Sequence, residues 1–562
     1  SPTRSFSDLA KSRQFSLQRT AYLVHSFVGL KLSLLFAVVV FSGALAVLSQ
    51  EVDWLLYSQM RVDAQEQRLD EGVLFDKLQA AYSEHGLSFL QTMAEQPNFA
   101  SFAMYNDAQG GFRYAWIDPY TGEVKGDTPV LTVGRFIGFL HSTLYLPVIG
   151  RGLVNVFGLL TAISLIAGLC AYPKFWRYFF KVPRVGNLRV FWADTHKLIG
   201  LWSLWFVLII ALTGSWWFYK NPLVRDFNAP NIVKPFPEKP LLDKQALDQF
   251  TVQPNANKQD LAARMSAVLK RSYPEAVVLS IVPPEHNAEP FEFIIADNAW
   301  LVPQSRQNKI YINPLNSQII GTSLVKNFST SQRVDSAMIP LHLGNWAQGS
   351  SADLWVKLLW FIFGLALTAL CVSGLIIHLK RTAKRVKKIS AQGHFYYWVK
   401  CWRIIKPWGR PFGVYKYLNI LLLLAMGAGC AIALTLSSQG TKGAGVIYPT
   451  KKVGDWDITM NAVAGLLEKD IYPIRPGKMV TFNVELSASA LSSIKFAYLS
   501  IGKPQDMKNA GHLVEGPLGA THSRFRLADT INADELWLSI QRWDGQWQQA
   551  FRICAECFKH IH

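Results

Sequence analysis

The chain has 562 residues, 50% of them hydrophobic and only 17% charged, with a positive mean hydropathy. That balance excludes an ordinary soluble globular protein of this size and makes a membrane protein the expected class. The formal charge of +18 calls for no nucleic-acid partner, because basic residues that fix topology and meet anionic lipid account for it.

Five apolar stretches of about 20 residues, long enough for a hydrocarbon core about 30 Å thick, predict five transmembrane helices over residues 23–48, 153–172, 198–219, 354–379 and 417–436. The first has a basic leader and an Ala44-Leu45-Ala46 triplet, as a signal peptide would. Its apolar run exceeds a typical signal core, so an uncleaved helix is expected. Basic residues cluster in alternate connections. They are Arg4, Lys11, Arg13 and Arg19 in the leader, Lys174, Arg177, Lys181, Arg184 and Arg189 between spans two and three, and Lys380 to Lys388 between spans four and five. Short basic loops stay in the cytoplasm, so the amino terminus is predicted inside and residues 49–152, 220–353 and 437–562 outside.

The outside connections are too long to be mere linkers, so each is expected to hold a small domain. The first two look alike. Helical periodicity over 72–84 leads to strand text ending at Asp118-Pro119-Tyr120-Thr121-Gly122-Glu123, and periodicity over 258–272 leads to strand text ending at Asn313-Pro314-Leu315-Asn316. The spans repeat as well. His25 precedes Gly29-Leu30 and Ser42-Gly43 at the same offsets at which His196 precedes Gly200-Leu201 and Thr213-Gly214. Gly158-Leu159 and Gly168-Leu169 of the second span likewise match Gly364-Leu365 and Gly374-Leu375 of the fourth. A tandem duplication of helix, outside domain, helix is the expected architecture, with a pseudo-two-fold axis along the membrane normal. Small residues at these offsets allow close helix approach.

Duplication turns the histidines into a geometric expectation. His25 and His196 lie at the predicted cytoplasmic ends of spans one and three, and His141 and His342 shortly before spans two and four at the outer face. Two imidazoles opposed across a bundle axis can be the axial ligands of a haem iron, so two pairs would hold one haem near each face. The bland alternative is hydrogen-bonded histidines at helix ends; repetition in register weighs against it. His378, at the cytoplasmic end of span four where span two has Tyr172, competes for the inner pair. Asp194 is expected to cap a helix or to orient His196 through its other nitrogen. Trp216-Trp217-Phe218-Tyr219 and Trp346 read as an interfacial belt, with an acceptor platform as the alternative.

The segments His25-Ser-Phe-Val-Gly-Leu, Asp194-Thr-His-Lys-Leu-Ile-Gly-Leu-Trp, His141-Ser-Thr-Leu-Tyr-Leu-Pro with Gly150-Arg151, and the Asp118-Pro119-Tyr120-Thr121-Gly122-Glu123 turn resemble the PepSY-associated transmembrane family of bacterial inner-membrane proteins, over about residues 15–385. The resemblance implies two b-type haems, periplasmic α+β PepSY domains, and electron transfer to a ferric siderophore or other ferric chelate. No cytoplasmic flavin or nicotinamide domain is evident in the sequence, so a separate flavoprotein or membrane quinol is the expected donor. The expected division is leader and first span 1–50, first PepSY-like domain 51–140, spans two and three 141–219, second PepSY-like domain 220–341, span four 342–379, basic loop 380–416, span five 417–436 and a periplasmic β domain 437–562.

That last region reads as a small β-sandwich with an Asp544-Gly545 turn. Its end, Cys554-Ala-Glu-Cys557-Phe-Lys-His560-Ile-His562, reads as a disulfide before a metal site, and Phe558 stands where a c-type haem signature needs His. Cys170, Cys371, Cys401 and Cys430 read as free packing residues. Besides a haem reductase, two classes remain open: a membrane-anchored module binding a periplasmic peptide or peptidase, and a transporter. The latter is disfavoured because the spans hold no acidic midplane residue.

Overall fold

The computed structural model describes residues 6–31, 33–82, 86–106, 112–146, 149–242, 260–285, 288–296, 301, 307–347, 350–390, 419–435, 446–453, 456–464, 478–486, 494–504, 510–514, 522–527 and 536–553. Cys401, most of the basic loop, and the Cys554 to His562 tail lie outside the described residues.

The helices are α1 (Phe6–Lys31), α2 (Ser33–Val47), α3 (Ser49–Leu56), α4 (Glu71–Ala81), α5 (Val133–Thr143), α6 (Gly150–Ala171), α7 (Leu188–Trp202), α8 (Leu204–Phe218), α9 (Leu261–Ser272), α10 (Thr330–Leu343), α11 (Ser350–Ser390) and α12 (Asn419–Thr435). Among the described residues, α6 and the Ala352–His378 part of α11 are the straight helices long and apolar enough to cross a membrane. The first and third expected spans are instead broken. The pair α1 and α2 bends by 71° and the pair α7 and α8 by 70°, while α12 is a shorter apolar helix. Hydropathy registers apolar length and is blind to direction, so a bend leaves it unchanged.

The packing of these helices is reciprocal. α1 lies on α6 and α2 on α11, while α7 lies on α11 and α8 on α6. Small residues set the crossings. A Cβ on Gly158 would come within 2.4 Å of the Gly214 backbone, and one on Gly364 within 2.8 Å of the Ala44 side chain. Helices therefore meet backbone to backbone where a larger residue could not fit.

Outside the helical region, β1 (Leu87–Gln91), β2 (Ser101–Asn106), β3 (Phe112–Ile117) and β4 (Val124–Pro129) come from the first long connection. The second supplies β5 (Val278–Val282), β6 (Phe291–Ile295), β7 (Lys309–Ile312) and β8 (Ile319–Ser323). All eight form one antiparallel sheet of order β4-β3-β2-β1-β5-β6-β7-β8, joined where Leu90 and Gln91 pair with Ile281 and Ser280. The Thr92 hydroxyl donates to Val278 O at 2.6 Å and that of Ser280 to Leu90 O at 2.8 Å, so the seam is stitched by side chains too. The helices α4 and α9 cover one face with a shared core of Phe75, Leu78, Met265, Leu269, Phe291 and Phe293. Each such fully buried side chain contributes about 1.5–3 kcal/mol.

The remaining strands are β9 (Val446–Val453), β10 (Trp456–Ala464), β11 (Lys478–Leu486), β12 (Ile494–Ile501), β13 (His512–Leu513), β14 (His522–Leu527), β15 (Leu536–Arg542) and β16 (Trp547–Ile553). They make two four-stranded antiparallel sheets, β14-β11-β10-β9 and β13-β12-β15-β16. The expected Asp544-Gly545 turn joins β15 to β16, with Gly545 at φ +81°, a conformation suited to glycine. Phe496 and Trp543 of this region pack with Leu242, Leu315 and Ile320 of the second long connection.

Candidate functional site

The four candidate histidines meet in two pairs. His25 on α1 faces His196 on α7 with ring centres 6.2 Å apart, and His141 on α5 faces His342 on α10 with centres 6.0 Å apart. His25 contacts α6 at Ser164 and Gly168, whereas His141 precedes the first turn of that helix. Gly43 beside His141 and Thr213 beside His342 adjoin Ala44 and Gly214, which cross Gly364 and Gly158, ten residues before the Gly374 and Gly168 that touch the inner pair, so the pairs lie about 15 Å apart at the helical rise.

Each imidazole is held by its Nδ1. His25 Nδ1 donates to Ser164 O at 2.9 Å, and His141 Nδ1 to Val39 O at 2.8 Å. His196 Nδ1 lies 2.8 Å from Ser373 Oγ, whose own hydroxyl donates to Leu370 O at 3.1 Å. His342 Nδ1 lies 2.8 Å from Thr213 Oγ1, which donates to Ile209 O at 2.9 Å. Carbonyl acceptors put a proton on Nδ1 of His25 and His141, and the Ser373 and Thr213 hydroxyls, each within reach of a helix carbonyl, accommodate the same tautomer in His196 and His342. The lone pair then sits on Nε2, as a metal ligand requires, with the opposite nitrogen oriented by the protein.

The spacing has a chemical meaning. A metal–nitrogen bond of about 2 Å plus about 1.1 Å to each ring centre sets two imidazoles on opposite sides of one iron with their centres about 6.2 Å apart. Both pairs fit that separation. Among the described residues no group of three or more His, Cys, Asp or Glu side chains gathers as a metal site. A haem, which brings most of its iron's ligands itself, would need no more than the two imidazoles of each pair to hold it.

Small and aromatic residues complete the surroundings. A Cβ on Gly43 would fall 2.7 Å from the His141 ring, and one on Gly168 3.3 Å from that of His25. Trp217 packs edge-on to His342 at 4.5 Å, and Trp346 against Trp360 at 6.0 Å; both are partly buried. The Trp360 indole N–H donates to Leu341 O at 3.0 Å, fastening α10 beside His342.

Other expectations change. Asp194 neither caps α7 nor orients His196. Asn187 is the cap, accepting from Arg189 N at 3.0 Å, and Asp194 instead pairs with the Arg184 guanidinium at 2.7 and 3.1 Å. An aspartate two turns inside a helix is too far from its free N–H groups to cap them. His378 lies near the end of the apolar part of α11, outside both ring pairs, with Nε2 buried. The sequence reading missed Lys357, whose side chain is 6% exposed and which bonds Glu51 at 2.9 Å and Asp353 at 2.8 Å. Asp353 at the fourth position before it was the visible cue; Glu51 is remote in sequence. Cys170, Cys371 and Cys430 are free thiols.

Comparison with known proteins agrees with the fold. The uncharacterized protein PA4219 of Pseudomonas aeruginosa (strain PAO1) is 34% identical over 76 residues, which is 14% of this chain and 19% of the relative. The chain thus spans about a fifth of the length of the curated relative it matches. Residues 415–552 match a family described as an uncharacterised conserved protein. The PepSY-associated TM region matches residues 22–381, well over half the chain and inclusive of the four paired histidines and His378, and the protein belongs to that family.

Proposed function

We propose that this chain carries electrons across the bacterial inner membrane through two b-type haems and delivers them to a ferric siderophore or other ferric chelate in the periplasm. His25 and His196 hold the inner group and His141 and His342 the outer one. The observation that carries the reading is the facing of four Nδ1-anchored imidazoles in two pairs at 6.2 and 6.0 Å. A bound haem supplies a one-electron iron couple. The chain's own residues orient the axial nitrogens through Ser164, Val39, Ser373 and Thr213, and line the interior with the apolar faces of α2, α6, α8 and α11. One ferric ion of the chelate is reduced per electron withdrawn from a cytoplasmic flavoprotein or from membrane quinol. The basic segments support a cytoplasmic amino terminus and a periplasmic sheet.

The test is spectral. Purified protein should show a Soret band that shifts on reduction with dithionite, with about two haems per chain. His196→Ala should remove one haem and His342→Ala the other, while His378→Ala should keep both. A colourless, folded preparation would overturn the reading and leave the periplasmic sheet as a binding module.

A further inference from the structure

A cavity of about 380 Å³ lies between the sheet and the start of α5, on the side of β2 and β3 away from α4. That volume is within the range of small-molecule sites, about 300–1,000 Å³. Its walls are aromatic: Phe99, Phe102, Tyr114 and Trp116 on one side and Phe139 on the other. Phe102 lies 4.9 Å from each of the Tyr114 and Trp116 rings, so these side chains form one cluster along the wall. The rim is cationic. Arg135 sets its guanidinium over Phe139 at 5.3 Å and over Tyr114 at 5.7 Å, and its charge acts favourably on the Asp53 carboxylate of the same lining. The acid nearby, Asp53, is already engaged, with its carboxylate accepting from Gly134 N at 2.7 Å and from the Thr132 hydroxyl at 2.6 Å.

We propose that this cavity binds an anionic, oxygen-substituted aromatic ring of the catecholate or salicylate kind, with the ring against Phe102, Tyr114 and Trp116 and its oxygens on Arg135. Aromatic walls favour planar rings by offset and edge contacts, and the exposed Arg135 guanidinium offers paired donors to adjacent oxygens. Gly138, Phe139 and Ser142 line the cavity from α5 and flank His141 on that helix. An aromatic arm of a ferric chelate seated here lies beside the outer pair. That role rests on the electron-transfer reading, whereas binding itself does not.

Gly138 provides the test, since a Cβ placed on it meets nothing within 4 Å and a leucine there can grow into the cavity. Calorimetric titration of the detergent-solubilised full chain with 2,3-dihydroxybenzoate and with salicylate should show saturable binding. Gly138→Leu should weaken it tenfold or more with the thermal midpoint retained, and Arg135→Gln should weaken it similarly. His342→Ala should still bind the ring even if its haem is lost, which separates this site from the redox reading. Absence of binding by both acids, undiminished affinity in Gly138→Leu, or preferential binding of the neutral ring menadione would overturn the proposal.

Discussion

At the scale of single residues, the site depends on which imidazole nitrogen holds the proton. Ser373 and Thr213 each set their hydroxyl between a helix carbonyl and the Nδ1 of His196 or His342. The matched residue of the other half, Ser42, behaves differently: it bonds Val38 O and Val39 O, while His141 uses the Val39 carbonyl directly. Offsets in the sequence revealed both hydroxyls but not this difference in partner. A second residue, Asp76 on α4, links the two long connections by accepting from Ala262 N at 3.1 Å and Ala263 N at 2.8 Å at the start of α9. Burial pushes its carboxyl up to about 6, although those two backbone donors oppose the shift. A carboxyl raised above its unfolded value makes the folded state bind protons more readily. Its contribution to stability therefore falls as pH rises from about 4 to about 6, by at most roughly 3 kcal/mol. The thermal midpoint of Asp76→Asn should accordingly lose that part of the pH slope relative to wild type; identical slopes between pH 4 and 7 would contradict it.

Among the elements, the bends decide where the histidines go. α1 and α7 carry His25 and His196, and each turns through about the same angle, 71° and 70°, into the helix that follows. Glycines at matched offsets then serve different ends. Gly214 lets α8 cross α6 at Gly158, whereas Gly43 leaves room for the His141 ring. Gly43→Ala places a methyl 2.7 Å from that imidazole and should displace it from its Val39 bond. On the proposed haem reading, the expected result is loss or a changed spectrum of the outer haem with the inner one retained. Overpacking of this kind costs about 1–3 kcal/mol, so the protein should still fold. Full retention of both haems with unchanged spectra would show that the ring has space to move.

On the scale of the whole molecule, one sheet built from both long connections ties those connections together, as the reciprocal packing of α1, α2, α6, α7, α8 and α11 ties the helices. Electron transfer through two centres is a series process, so liposomes with a trapped reductant should reduce an external ferric chelate only when both pairs are intact. Reduction at wild-type rate by His342→Ala would contradict the series. The sequence by itself determined the membrane class, the apolar stretches, the sheet-forming segments and the two candidate histidine pairs, of which His25 and His196 stand at repeated offsets, because hydropathy and spacing are properties of the chain read in order. Only the tertiary structure decided the 70° bends, the joining of β1 to β5, the seat of Asp194 on Arg184, the burial of Lys357 and the aromatic cavity beside α5. Those depend on which residues meet across hundreds of positions, as Lys357 meets Glu51, and packing and hydrogen-bond satisfaction select among partners that local pattern leaves equivalent.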